Sequence, residues 1–319
     1  MTNLSQQQNP SSSFLRFRKS ESECIAWLSV FGMEAVAIVM LNALTIIVYL
    51  KERSLCKRSM YLVINQTVAD MFVGASSFIT FWEFGGVCTF WTINVDPPGN
   101  QFYAIKALIV VFPVASTINL GAVSLERTHA TFRPFKHRLI KKKIFGAAVA
   151  LVWITAGIFS SSFFLFLKHL RLIPGTIFII TYASSFLLCL LIISVCYTSI
   201  AIKIICGTHP PHHGATNRER KLTKTLFIVT VVSLLLILPA TVLWIHVMLQ
   251  ALTSTKIFLE TLTKLFRLLY FFYFLFYANS LLNPFLYSLR MPEFRRTLFH
   301  FFKCRSQQRP AQDFPLNEM

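Results

Sequence analysis

The chain has 319 residues, of which 55% are hydrophobic and only 14% are charged. It carries 31 Lys and Arg against 13 Asp and Glu, a formal net charge of +18. A soluble domain has about a quarter of its residues charged, so the composition excludes most soluble classes. The basic residues lie between long apolar runs, which indicates lipid headgroups and cytosolic partners rather than nucleic acid.

Seven apolar stretches are long enough to cross a bilayer as helices, which takes about 20 residues each. Helices are favoured because unpaired backbone groups cannot be left in hydrocarbon. The sequence therefore predicts an all-α membrane protein, a bundle of seven transmembrane helices. The predicted spans run near 27–50, 60–82, 102–125, 144–167, 173–205, 222–249 and 265–289.

The basic residues indicate how the bundle is oriented, because short cytoplasmic loops collect Lys and Arg. Four follow the first span, seven lie in 127–143, five in 203–224 and six in 290–309, so 22 of the 31 lie on one side. We therefore expect the amino-terminal tail, residues 1–26, to lie outside and the carboxyl terminus to lie in the cytosol.

Three cysteines and one asparagine are candidates for covalent modification. Cys24 and Cys88 are expected in the oxidising outer region, where they form either a disulfide or two free thiols. Asn3 opens a glycosylation sequon on the outer tail. On the cytoplasmic side Cys304 follows a short amphipathic segment and is either palmitoylated or unmodified.

Asp70 is a carboxylate about halfway along the second predicted span, which contains no Lys or Arg. A buried carboxylate must be protonated, hydrogen-bonded or bound to a cation. Candidate partners are Ser116 at mid-depth in the third span, and Asn279 and Asn283, which share a face of the seventh. Oxygen ligands suit a hard cation such as sodium. The alternative is a water-filled hydrogen-bond network around a neutral Asp70.

Charged residues and prolines mark the inner half of the predicted bundle. Glu126 and Arg127 lie at the cytoplasmic end of the third span, and Glu219 near the start of the sixth offers a second acidic partner. The alternative for Arg127 is that it extends to lipid headgroups. Pro239 and Pro284 interrupt the sixth and seventh spans, where they predict kinks or hinges.

Landmark residues in all seven spans resemble those of the rhodopsin-like G-protein-coupled receptors. In chain order they are Asn42, Val68-Ala69-Asp70, Glu126-Arg127-Thr128, Trp153, Tyr197, Pro239 and Asn283-Pro284-Phe285-Leu286-Tyr287. Residues 292–304 resemble that family's short amphipathic eighth helix. The resemblance implies a receptor domain at 27–291, the eighth helix at 292–304 and a cytoplasmic tail at 305–319, in the plasma membrane.

The resemblance also implies a function. An extracellular ligand would bind within the bundle, and a heterotrimeric G protein would bind at the cytoplasmic face. Arg127 would pair with Glu126 and Glu219 at rest and would be released when the sixth span swings outward about Pro239. The implied switch residues further include Tyr197, Asn283, Pro284 and Tyr287, and an implied sodium pocket consists of Asp70, Ser116, Asn279 and Asn283.

The chain departs from the family pattern at several positions. Phe102 stands where the cysteine of the usual outer disulfide is expected, and the loop at 168–172 is short and lacks a cysteine. Cys189 replaces a proline of the fifth span, and Ile237 replaces the tryptophan that usually precedes the proline of the sixth. The short loop, the missing disulfide and the missing proline resemble the melanocortin-type group, which is related to the adenosine receptors.

The ligand is less clearly indicated than the receptor class. Ile109 replaces the aspartate that binds the amine in aminergic receptors, and Tyr277 stands where opsins carry the retinal lysine. A stripe on the third span and its neighbours would line an outer pocket for a small molecule or peptide, with ordinary helix packing as the alternative. The predicted lining residues are Glu83, Lys106, Ile109, Pro113, Trp244, Tyr273 and Tyr277.

A multi-pass transporter or channel is the alternative class. Transporters commonly show paired half-chains with broken helices in corresponding positions and ionisable groups along a path. The odd number of spans and the single mid-membrane carboxylate disfavour it. An enzyme is not predicted, since no nucleophile and base pair or phosphate-binding glycine loop is visible. Apart from a sodium ion, no cofactor is expected.

Overall fold

The computed structural model describes residues 21–51, 60–91, 100–168, 175–206, 231–233, 235–247, 249–250, 255–290, 295–296 and 299. Within these ranges every regular element is a helix, so the predicted all-α fold is confirmed. The helices are α1 (Glu21–Lys51), α2 (Met60–Val87), α3 (Asn100–Phe132), α4 (Pro134–Leu139), α5 (Lys142–Lys168), α6 (Gly175–Cys206), α7 (Val231–Val247) and α8 (Thr255–Arg290).

The helices match the predicted spans, with differences at their ends. Six of them, α1, α2, α3, α5, α6 and α8, contain stretches long and apolar enough to cross a membrane. For the sixth predicted span the structure describes the apolar helix α7, whereas residues 222–230 lie outside the described residues. The short α4 was not predicted, and it begins with Pro134, whose fixed φ suits the first helical position.

Most of the helices extend beyond the predicted spans; α8, for example, begins at Thr255 rather than near residue 265. α1 begins at Glu21, inside the predicted tail, and the acidic Glu21 and Glu23 occupy its first turn, where they complement the helix dipole. α3 continues to Phe132, and its last turns include Thr128 and Thr131, whose hydroxyls donate to carbonyls four residues earlier.

The bundle has an apolar exterior and a polar interior. On α5 the exposed Leu151, Ile154 and Ile158 form one face, while Val152 and Ala156 on the opposite face are buried. The buried polar side chains include an aspartate, a glutamine and several asparagines. This inversion of the soluble pattern is what a helix bundle in lipid requires, because lipid tails solvate the apolar face.

α3 occupies a central position, since it packs against α2, α5 and α6. α1 packs against α2 and α8, and Arg267 of α8 makes a bidentate contact with Glu23 of α1 at 2.8 and 3.0 Å. Tyr197 of α6 is buried with Leu120 of α3 in an apolar cluster. Several of the helices that carry predicted site residues therefore pack against α3, and α8 packs against α1 and α2.

A disulfide joins Cys24 of α1 to Cys88, which directly follows α2, with the two Cα atoms 6.0 Å apart. This is one of the two alternatives that the sequence left open. The N–H of Cys88 donates to the Phe84 carbonyl at 2.9 Å, which holds the cysteine in the last turn of α2. We call this end of the bundle the disulfide end, and the opposite end, where Arg127 lies, the arginine end.

We expect Cys24→Ser and Cys88→Ser each to lower the midpoint of thermal unfolding, because removing a native disulfide typically costs about 2 to 5 kcal/mol. The double variant should unfold at the same temperature as either single variant, since both lose the same bond. Cys189→Ser is the matched control, because Cys189 is a free cysteine. Additive losses in the double variant would contradict a bond between these two residues.

Candidate functional site

Asp70 lies at the centre of the bundle with 0% of its surface exposed. Ser116 of α3 donates to Oδ1 at 2.6 Å, and Asn283 of α8 donates to Oδ2 at 2.6 Å. Ser280 of α8 donates to Oδ1 at 3.0 Å, and the Gln66 amide of α2 lies 3.1 Å from Oδ1 and 3.2 Å from Oδ2. Four donors from three helices thus converge on one carboxylate, which satisfies it without any cationic side chain.

The structure brings two of the three residues predicted to surround this carboxylate, Ser116 and Asn283, into contact with it. Asn279 is buried, but its Oδ1 has no hydrogen-bond partner within the described residues, and no bond from it to Asp70 is present there. Sequence reasoning missed Gln66 and Ser280. The available signal was spacing, because Gln66 lies one helical turn before Asp70 and therefore shares its face.

A chain of amides extends from Asp70 across α2, α3 and α5. The Trp153 indole of α5 donates to Asn65 Oδ1 at 2.9 Å, and Asn65 Nδ2 donates to Asn119 Oδ1 at 2.9 Å. Asn119 Nδ2 donates to Gln66 Oε1 at 2.8 Å. Each step is a hydrogen bond between buried or partly buried side chains, so the chain joins three helices through directed contacts.

Asn42 connects α1 to the same group of residues. It is fully buried, and its Nδ2 donates to the Ser280 carbonyl at 3.2 Å and to the Ile38 carbonyl of its own helix at 2.9 Å. Five helices, α1, α2, α3, α5 and α8, therefore contribute to one hydrogen-bonded unit. We call this unit the central network; its members are Asn42, Asn65, Gln66, Asp70, Ser116, Asn119, Trp153, Ser280 and Asn283.

The predicted sodium ion can be tested against these contacts. A hard cation needs oxygen ligands that point at it, whereas Ser116 directs its hydroxyl hydrogen at Asp70. The Gln66 amide nitrogen lies 2.7 Å from the Ser116 oxygen, in the space beside both groups. In this arrangement the side chains around Asp70 do not fit a cation. Sodium at Asp70 therefore stays a prediction that the observed arrangement does not favour.

Glu126 and Arg127 form an ion pair at the arginine end, with Arg127 Nε 3.0 Å from Glu126 Oε2. The arginine Nε has no aligned hydrogen bond, so the contact is mainly electrostatic. His137 of α4 contacts the other glutamate oxygen at 2.7 Å. Sequence reasoning missed His137 because α4 was not predicted. Glu219, the second proposed partner of Arg127, lies outside the described residues.

The remaining predicted switch residues lie on three helices. Tyr197 is buried on α6. Pro239 is partly buried in α7 and Pro284 is buried in α8. A proline inside a helix leaves the carbonyl four residues earlier without its helical partner, so both positions are local weak points. The side chain of Tyr287 lies outside the described part of the chain, as do Asn3 and Cys304.

An ion pair and a group of aromatic rings lie near the disulfide end. Lys106 of α3 contacts Glu83 of α2 at 2.5 Å, and each side chain is about one third exposed. Tyr277 of α8 shares a hydrogen bond with Thr80 of α2 at 3.1 Å. The Trp244 ring of α7 lies near the Tyr182 ring of α6, at 4.7 Å between centroids. The predicted pocket residues Ile109 and Tyr273 are partly buried, and Pro113 is buried.

Glu34 is a buried carboxyl group that sequence reasoning did not single out. It lies on α1 with 4% of its surface exposed, and neither carboxylate oxygen has a hydrogen-bond partner within the described residues. Phe31 and Ile38, which lie one turn away on either side, pack in a cluster with Val73 and Tyr277. The acidic group therefore lies in an apolar environment between α1, α2 and α8.

Comparison with known protein families agrees with this architecture. The family described as "7 transmembrane receptor (rhodopsin family)" matches residues 41–287, which is more than half of the chain. The chain belongs to this family. It is therefore a multi-pass membrane receptor, and the receptor prediction is confirmed in preference to a transporter, a channel or an enzyme. The melanocortin and adenosine subgroup stays a prediction.

Individual relatives of the receptor are distant in sequence. Galanin receptor 2a of Danio rerio is 26% identical over 240 residues, which cover 67% of this chain and 64% of that protein, slightly less than two thirds of its length. Galanin receptor type 2 of Rattus norvegicus is 25% identical, covering 85% of this chain and 73% of that protein. Lysophosphatidic acid receptor 3 of Homo sapiens is 25% identical, covering 85% and 77%.

We expect Glu126→Gln to raise the basal G-protein activation of the receptor. Loss of the carboxylate charge removes the ion pair with Arg127, and losing about 1 kcal/mol of preference for the resting state would change the conformational equilibrium about fivefold. The measurement is agonist-free nucleotide exchange in membranes matched for receptor number. His137→Phe is the control, because it keeps a ring beside Phe145 and leaves the ion pair intact. Unchanged basal exchange in Glu126→Gln would contradict a resting role for the pair.

Proposed function

We propose that the receptor lies in the plasma membrane with its disulfide end outside, binds a ligand there, and activates a heterotrimeric G protein at the arginine end. The observation that carries this proposal is the Glu126–Arg127 ion pair, which lies near the end of α3 that is opposite the disulfide. An arginine held by a poorly aligned contact is available to a partner once the bundle opens.

Two independent properties support this orientation. Disulfides form and persist in oxidising compartments, so the Cys24–Cys88 bond suits the extracellular side. Basic residues cluster at the other end: Lys136 and Arg138 lie on α4, and residues 141–143 follow it. Such clusters favour the cytosolic side, where they meet anionic lipid headgroups and acidic partner surfaces.

Activation follows from a difference in binding between two conformations. A ligand and a G protein that both prefer the open bundle strengthen each other's binding by the same coupling free energy, typically about 1 to 3 kcal/mol. Pro239 of α7 is the expected hinge, because its ring removes one helical hydrogen bond. Outward movement of the cytoplasmic part of α7 would expose Arg127, and the central network would hold the other helices in register.

The ligand is proposed to be a peptide or a lipid. The relatives are named for galanin and for lysophosphatidic acid. Near the disulfide end this chain offers a partly exposed charged pair, Lys106 with Glu83, next to a set of large aromatic rings. That combination suits a ligand with a charged group and a sizeable apolar part, which is a property of both classes.

We expect Arg127→Gln to abolish G-protein activation, because the guanidinium is the group that the pair releases. Introduced into Glu126→Gln, it should return the raised agonist-free nucleotide exchange to background, so the measurement needs no ligand. Arg133→Gln in the same background is the matched control, because Arg133 is an exposed arginine in the segment after α3. Persistent exchange in Glu126→Gln/Arg127→Gln, at equal surface expression, would remove Arg127 from the mechanism.

We expect ligand potency to depend on the positive charge at Lys106 and the negative charge at Glu83. The receptor would first be screened against peptides and lysophospholipids with a chimeric G protein as the readout. Glu83→Lys and Lys106→Glu should each reduce potency at least about tenfold, equivalent to about 1.4 kcal/mol. The double swap re-forms the ion pair, so we expect normal surface expression. Potency should stay low, because the ligand would then meet the opposite charge at each position. Full recovery of potency in the swap would assign the pair a purely structural role.

A further inference from the structure

The Gln66 amide occupies a position at Asp70 that a bound cation would otherwise need. Its nitrogen carries two hydrogens. One is directed at the Asp70 carboxylate, whose oxygens lie 3.1 and 3.2 Å away, and the other is directed at the Ser116 oxygen, 2.7 Å away. Ser116 in turn donates to Asp70 at 2.6 Å, so the three side chains form a closed hydrogen-bonded triangle.

We propose that the Gln66 amide takes the place of a cation in this receptor, so that Asp70 is satisfied by hydrogen bonds and the receptor does not respond to sodium. A hard cation of calcium's size holds its oxygen ligands at about 2.3 to 2.6 Å. A cation that contacts both Asp70 and Ser116 on the side of Gln66 would therefore overlap the amide nitrogen, which lies 3.1 Å from Asp70 Oδ1 and 2.7 Å from the Ser116 oxygen. Its entry there would have to displace the amide from both groups.

The amide cannot simply turn over to present its oxygen to a cation. Gln66 Oε1 accepts a hydrogen bond from Asn119 Nδ2, which also donates to the Leu62 carbonyl at 2.9 Å. A backbone carbonyl only accepts, so Leu62 determines which end of the Asn119 amide carries the nitrogen. A turned Gln66 amide would place its nitrogen against the Asn119 nitrogen and its oxygen against Asp70.

A second hydrogen bond, at the far end of the amide chain, fixes the same orientation of the amide groups. The Trp153 indole N–H only donates, so the atom of Asn65 that faces it must be the oxygen. Asn65 then offers its nitrogen to Asn119 Oδ1. A donor-only group and an acceptor-only group therefore orient the three amides together, and the N–H groups of Gln66 have to point at Asp70 and Ser116.

The test measures stability, and it needs neither a ligand nor a G protein, so its outcome is separate from that of the proposed signalling function. The midpoint of thermal unfolding of the purified full-length receptor is compared in about 0.15 M sodium chloride and in the same concentration of choline chloride, which keeps ionic screening equal. A cation that binds only the folded state raises the midpoint. For the wild-type receptor we expect a difference below about 1 °C.

Gln66→Met is the principal variant, because it removes the amide and keeps an unbranched side chain. We expect sodium to raise its midpoint by at least about 3 °C relative to choline, and Gln66→Met/Asp70→Asn to lose that response. Gln66→Ala, tested with and without Asp70→Asn, provides the same comparison if the methionine variant does not fold. Trp153→Phe is the matched control, since it removes one bond of the amide chain while the Leu62 carbonyl still orients Asn119.

Two results would overturn the proposal. One is a wild-type receptor that sodium stabilises by several degrees in a manner that Asp70→Asn abolishes, because the amide would then not exclude the ion. The other is a folded Gln66→Met or Gln66→Ala variant with no sodium response, because the amide would then not be what prevents binding. A sodium response in Trp153→Phe that equals the response of the Gln66 variants would also contradict a specific role for Gln66.

Discussion

The buried carboxylate of Asp70 is the constraint on which the rest of the bundle depends. A carboxylate with no exposed surface carries a large desolvation cost unless its oxygens accept hydrogen bonds. The donors that meet this requirement come from Gln66 on α2, from Ser116 on α3, and from Ser280 and Asn283 on α8. Since hydrophobic burial does not drive helices together in lipid, such directed contacts specify which faces meet and at what depth. The network then extends to Asn42 on α1, which positions a fourth helix.

Much of this arrangement could be predicted from sequence. Apolar runs located the spans, the depth of Asp70 singled it out, depth also indicated Ser116, and helical spacing grouped Asn279 with Asn283, of which Asn283 contacts Asp70. The Glu126–Arg127 contact and the cysteine pair were likewise among the predictions. Apart from the cysteine pair, which followed from the side of the membrane assigned to each cysteine, these features depend on run length, on charge or depth within an apolar run, or on spacing along one helix.

The features that sequence missed depend on three-dimensional direction. Spacing shows that Gln66 and Asp70 share a face, but the roles of the two ends of the amide follow from partners more than fifty residues away, at Asn119 and through it at Trp153. His137 was missed because it lies on a helix of six residues within a basic segment, which has no apolar period to reveal it. Glu34 was missed because a glutamate in the first span has no spacing signal that distinguishes a buried position from one reaching headgroups.

The central network bears on which helix would move in the proposed activation. Its members lie on α1, α2, α3, α5 and α8, and none of them lies on α7. Among the described residues, α7 makes apolar contacts with α6, such as those of Ile237 with Phe186 and Leu190. Apolar side chains can slide past one another with less loss than directed hydrogen bonds between buried groups, which are costly to leave unmade. Asn119 and Glu126 are seven residues apart on α3, about 10 Å along the helix axis. A helix anchored by the network thus carries the ion pair near its end, and under the proposed function α7, with Pro239 as its weak point, is the helix that would uncover it.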